Sequence, residues 1–211
     1  MKKGKKKPYK NFLPAEKYYE INLPHLFGNP LAIYPELRKD FAPSLMTDFS
    51  SNIDKNSCEV VAAFNLLRYY SERKNVKGLF DEGDYEKSFH LLDRKIHRLP
   101  LIGGQIGLGA LIGTIKYLRE NQLRIEKERT LIWPVTFYWV KRNIEMGRPI
   151  IIGLFNHKKY HHHAVLVLGA GESKNGRYYR IADGWNTGGG STLEKFIPVS
   201  EVLADGWSLS F

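Results

Sequence analysis

Two stretches restrict how this chain can fold more than any others: Pro149–Phe155 (PIIIGLF) and His163–Ala170 (HAVLVLGA). Each is apolar at nearly every position, whereas a strand with one wet face alternates. A continuous run of this kind reads as a strand covered on both faces, central in a sheet. Arg177–Ala182 (RYYRIA) reads as a third strand. It follows Gly171-Glu-Ser-Lys-Asn-Gly176, whose residues suit a hairpin turn. Thr192–Phe196 and Trp207–Phe211 read as added edge strands, with a short helix at Ser200–Ala204.

The earlier part of the chain has helical texture instead. Val60, Val61, Phe64, Leu67 and Tyr70 share one face of an amphipathic helix running from Cys58 to about Arg73. Asn56 or Ser57 is placed to cap it. Asp84 caps a predicted second helix over 85–98, which Pro100 stops. A glycine-rich turn, Leu101–Gly109, leads into a third over roughly 108–121. The fourth starts at Pro134 as its first helical residue and runs to Met146, with Gly147 ending it. Helices first and an antiparallel sheet second make the fold class α+β rather than alternating βαβ. The glycine-rich turn lacks a following Lys-Ser/Thr and a clear preceding strand, so it reads as a tight turn and not a phosphate cradle.

A length of 211 residues suits one domain. The net charge of +10 suggests nucleic acid until it is located: six lysines stand in the first ten residues, which leaves +4 for the remainder. Residues 1–10 are therefore expected to form a disordered basic tail, capable at most of weak contact with anionic surfaces, and no nucleic-acid partner is expected. Residues 11–50 carry Pro14, Pro24, Pro30, Pro35 and Pro43 among aromatics. They predict an extended segment packing across a domain of residues 51–211, with a short helix near Tyr34–Asp40. A cover over a substrate cleft is the alternative use of that segment. A single cysteine excludes an intrachain disulfide. No run of seven or more apolar residues follows the basic N-terminus as a signal core would, and no stretch has the length of a membrane span, so membrane insertion is not expected. The default location is the cytoplasm, or outside the cell if a signal peptide has been removed.

Cys58 is the residue that could carry chemistry. At the first turn of a helix, the partial positive charge of the macrodipole favours thiolate. A lone cysteine is equally a small buried hydrophobe, so its role depends on what it meets. His157, His161, His162 and His163 crowd together, but consecutive residues entering a strand point to alternate faces and at most two of the three adjacent rings converge. No matching ligand set stands nearby, so neither metal nor other cofactor is expected. His157, His161 and His162 read as a solvated loop, while His163 stands at the mouth of a buried strand. Asp183 closes the strand after it. In a hairpin the start of one strand lies beside the end of the next, which brings Asp183 to His163. There a carboxylate can accept from the imidazole and hold its tautomer. Asp183 also suits a plain turn before Gly184, and Asn186 is a second candidate for orienting the ring. The Cys58 N–H and the Asn52 amide, six residues earlier, are candidate oxyanion donors.

The order Asn, Cys, His, Asp and its contexts resemble papain-like cysteine peptidases, and within them the bacterial double-glycine leader peptidases and their free-standing relatives. The matching elements are Asn-Ser-Cys58 opening a buried helix, Gly147-Arg-Pro-Ile-Ile-Ile, His163-Ala-Val-Leu-Val, Tyr-Arg-Ile-Ala-Asp183-Gly-Trp, and Gly104-Gln-Ile-Gly107 before a helix. The resemblance spans about residues 50–186. It implies a papain-like fold with an N-terminal helical half and a C-terminal antiparallel sheet. It also implies a peptide or protein substrate cleaved through a thioacyl-enzyme, with Cys58 as nucleophile, His163 as base and Asp183 as orienter. The chain departs from the family pattern in having Asn52 in place of the usual glutamine, and Glu59-Val60 where Gly-Pro is favoured. An inert papain-like module that binds peptides or proteins is the competing expectation.

Overall fold

A computed structural model of the protein describes residues 30–33, 44, 57–80, 84–96, 107–125, 130–173, 176–184 and 194–211. The described helices are α1 (Cys58–Lys74), α2 (Tyr85–Lys95), α3 (Gly107–Glu120) and α4 (Phe137–Glu145). The strands are β1 (Pro30–Ile33), β2 (Thr130–Ile132), β3 (Ile150–His157), β4 (His161–Ser173), β5 (Gly176–Ala182), β6 (Glu194–Pro198) and β7 (Ala204–Ser208). They form one antiparallel sheet in the order β2-β7-β3-β4-β5-β6, while β1 pairs with the far end of β4. The class is α+β.

The apolar runs are central strands, as their composition requires. Ile150, Ile151, Ile152 and Leu154 of β3 and Ala164–Leu168 of β4 are buried and pair across the ladder from Ile150↔Val167 to Leu154↔His163. β5 hydrogen bonds along the other side of β4, from Leu166↔Ala182 to Ser173↔Gly176. The strand at the chain's end is not the expected edge. β7 lies between β2 and β3, with Trp207 fully buried opposite both Leu131 and Ile151. Its neighbour β2 is too short to have shown a period in the sequence. The expected short helix before it is a 3-10 turn, Val199–Glu201.

α1 is buried on nearly every side rather than on one stripe, because it packs against α2, α3 and β4 together. Its N-cap residue is Ser57, but the hydroxyl makes no capping bond, and Asn56 lies outside the described residues. Asp84 does cap α2, accepting from the Lys87 N–H at 2.8 Å. α4 begins three residues later than the proline suggests. Thr136 caps it by accepting from Trp139 N–H at 3.3 Å, and Pro134 belongs to the turn between β2 and the helix. Gly147, at φ +69°, takes the left-handed conformation that ends α4.

The N-terminal segment touches this core at two described places. β1 lies against residues 171–173 of β4, and Ser44 is clamped to α1. The Asn65 amide bonds both main-chain groups of Ser44, at 2.7 and 2.9 Å, and Arg68 reaches its hydroxyl at 2.6 Å. The expected tail and the helix near Tyr34–Asp40 lie outside the described residues. Among the described residues no helix is long and apolar enough to cross a membrane.

Candidate active site

Cys58 is the first residue of α1 and sits half-buried where that helix meets β4. Main-chain N–H groups of Ala164, Glu59 and Cys58 itself hydrogen bond the thiol and favour its ionised form. The Ala164 N–H is available because the β4–β5 ladder stops at Leu166↔Ala182, before it reaches this residue. The helix-end donors therefore act in the direction the sequence suggests. Burial outweighs them, however, and with the nearby Glu59 charge it pushes the thiol above its ordinary pKa. A thiolate at this place needs a positive partner.

His163 directly precedes the amide that holds the sulfur, and its ring is buried. Its Nε2 lies 2.7 Å from the main-chain oxygen of Asp183. A carbonyl can only accept, so Nε2 carries the proton and Nδ1 the lone pair in the neutral ring. The structure thus joins residues 163 and 183 through the backbone oxygen of Asp183, whereas the sequence pointed to its carboxylate. The carboxylate Oδ2 instead accepts from the Tyr160 hydroxyl at 3.0 Å. Asn52 and Asn186 lie outside the described residues.

Tyr160 is the residue that sequence reasoning missed. It is buried, and its ring stacks on the His163 imidazole at 5.5 Å between centroids and 15° between planes. It thus holds His163 by its face and Asp183 by its carboxylate. The turn that presents Tyr160 is tied by His157, whose Nδ1 accepts from the N–H groups of Lys159 and Tyr160 at 3.1 and 3.3 Å. His157 is buried rather than solvated, and that burial lowers its pKa to about 4. His161 and His162 are exposed. The available signal was an aromatic residue alone in a charged loop three positions before His163.

A second group follows Cys58 in the chain. Glu59 is buried with Oε2 lacking a hydrogen-bond partner among the described residues, and burial together with the Asp205 charge raises its pKa to about 8. Asp205 on β7 accepts from the N–H groups of Gly153, at 3.2 Å, and Gly107. A Cβ at Gly107 would stand 2.5 Å from one Asp205 oxygen, and one at Gly153 would stand 2.4 Å from the other. A side chain at either position would push this carboxylate away from the backbone it touches. Gly153, interrupting an otherwise branched apolar run, was the sequence signal for a close approach. Among the described residues no group of three or more His, Cys, Asp or Glu could hold a metal ion.

With this geometry in place, comparison with solved structures identifies the fold. A chain described, provisionally, as a C39-like peptidase from Bacillus anthracis superposes with a TM-score of 0.52 at 11% identity, over 83% of this chain and 98% of that one. A chain from a structural comparison of the mite allergens Blo t 1 and Der p 1 gives 0.47 at 14% identity, over 72% of this chain and 64% of that one. The Pseudomonas avirulence protein AvrPphB gives 0.33 at 8% identity, over 77% and 97%. No protein-family model matches the sequence, and no curated protein matches it. The first likeness establishes a papain-like peptidase fold of the C39-like kind. At that identity it establishes the fold alone.

Proposed function

We propose that the protein is a cysteine peptidase that hydrolyses amide bonds of a peptide or protein through a thioacyl-enzyme. One observation carries the reading: the Cys58 thiol accepts from the amide of Ala164, next in chain to a buried histidine whose Nε2 is committed to a carbonyl. That commitment leaves Nδ1 as the basic nitrogen. His163 takes the thiol proton through it as Cys58 attacks the scissile carbonyl, then returns the proton to the departing amine. The Asp183 oxygen opposite Nε2 stabilises the imidazolium meanwhile. The Cys58 N–H and, in this reading, the Asn52 amide receive the oxyanion. The thiolate and imidazolium stabilise each other, which offsets the burial that keeps the isolated thiol protonated.

The raised thiol supports a second reading, an inert module that binds peptides or proteins in the same cleft. Iodoacetamide labelling separates the two, and Cys58 is the sole cysteine it can report. A peptidase labels well below the ~8.5 of a free thiol, loses that labelling in His163→Ala, and cleaves a mixed peptide library to new N-termini that vanish in Cys58→Ser. Labelling only above that pH, indifferent to His163→Ala and without cleavage, means the inert module.

A further inference from the structure

The hairpin that delivers His163 departs from regular pairing just before it does so. The β3–β4 ladder runs evenly to Leu154↔His163, then slips before its last pair, His157↔His161. Asn156 and His161 take φ of +49° and +57°, a left-handed conformation that residues with side chains adopt at a cost. A side chain bridges this turn from inside. His157 Nδ1 accepts from both the Lys159 N–H, at 3.1 Å, and the Tyr160 N–H, at 3.3 Å. Because Nδ1 accepts, the proton of the neutral ring sits on Nε2. That nitrogen faces Glu201 Oε2, on the 3-10 turn, at 3.9 Å. The distance is too long for a hydrogen bond, but a negative charge there favours the proton on Nε2 and leaves the lone pair on Nδ1. Lys158 stands 3.7 Å from the other Glu201 oxygen. On its own turn Lys158, Lys159 and His161 all oppose a second proton on the ring.

From His157 the contacts continue to the site. Its ring lies 5.2 Å from that of Tyr160, which stacks on His163 and donates its hydroxyl to the Asp183 carboxylate. We propose that His157 is a positioning residue for His163: as acceptor of two main-chain N–H groups it fixes the turn that seats Tyr160 against the imidazole, and a proton on Nδ1 undoes that seat. This rests on His163 being the base, and it adds an acid limit to the site. Protonated, Nδ1 is a donor facing two other donors, and the tie is lost. Burial lowers the pKa of the ring to about 4, so the tie is intact above that value and fails below it.

Two substitutions in the full chain separate the acceptor from the ring, with circular dichroism as a check on folding. In His157→Asn the amide oxygen stands as many bonds from Cα as Nδ1 does, so the acceptor stays while the ring goes. His157→Phe keeps the ring and removes the acceptor. The first readout is the nuclear Overhauser contact between the Tyr160 and His163 rings, assigned through its loss in His163→Ala. It persists in His157→Asn and weakens severalfold in His157→Phe. The second is iodoacetamide labelling of Cys58 at about pH 7, which slows about tenfold in His157→Phe and stays within about twofold of wild type in His157→Asn. Acid supplies a third: below about 4 the ring contact fades in wild type and survives in His157→Asn. The reverse order, with His157→Phe like wild type and His157→Asn impaired or unfolded, makes the ring a space-filler and overturns the proposal. So does a wild-type ring contact that is unchanged through that acid range, a measurement that needs no variant to fold. If the peptidase reading fails instead, labelling ignores His163→Ala and both His157 variants, while the ring contact still tells Asn from Phe.

Discussion

At the scale of single residues, Tyr160 is where the candidate site is most exposed to perturbation. Its hydroxyl supplies a bond to the Asp183 carboxylate and its ring covers one face of His163. Tyr160→Phe keeps the stacking and leaves a buried carboxylate oxygen short of a donor, which costs roughly 1.5–3 kcal/mol of stability. If cleavage is observed, kcat falls about tenfold with KM nearly unchanged, because the base is held less firmly without any loss of substrate contact. Wild-type denaturation and wild-type kcat in this variant would show that Tyr160 is filler. The sequence made Cys58, His163 and Asp183 legible because each stands at the end of an element whose period could be read. Glu59 stood out beside Cys58 in the sequence, but its burial did not, and Tyr160 and Asp205 were not legible. Their importance comes from partners brought together by tertiary packing, and no local pattern encodes those partners.

At the scale of elements, length and covering decided what could be read. β3, β4 and β5 were legible because strands buried on both faces need uninterrupted apolar residues, and α1 to α3 because their apolar spacing is helical, with Asp84 capping α2 as read. β1 and β2 have 4 and 3 residues, too few for a period to appear. Pro134 looked like a helix start because it fits one, but the Thr136 side chain two residues on is the actual cap. One crossing between helices makes a sharp prediction. A Cβ on Gly113 of α3 would stand 2.5 Å from the Lys95 carbonyl oxygen and 2.7 Å from the Ile96 Cα at the end of α2. Alanine is the better helix former by about 1 kcal/mol. Backbone cannot yield as a side-chain tip can, so Gly113→Ala nevertheless lowers stability, by about 1–3 kcal/mol in urea denaturation. A stabilised variant would mean that α2 and α3 do not touch there.

At the scale of the whole molecule, two buried groups pull stability in opposite directions with pH. Glu59 is raised from 4.5 to about 8 in the fold, so between those values the native chain holds a proton that the unfolded chain has released. Stability therefore falls as pH rises through that window, by on the order of 5 kcal/mol in the limit of a fixed structure. His157 is lowered from 6.5 to about 4, so the unfolded chain binds the extra proton, and stability falls as pH drops through that range. Glu59→Gln should diverge upward from wild type between pH 4.5 and 8 and run parallel above, leaving the acid side unchanged. Parallel curves throughout would assign the buried proton elsewhere.

The sulfur is gripped from two directions, by the start of its own helix and by an amide of a strand made much later in synthesis. During translation the thiol emerges long before the strand that carries Ala164. Until β4 has closed against α1, Cys58 stands without the second of its two holds. In the reading proposed above, a nascent chain carries a cysteine whose reactivity waits for that strand.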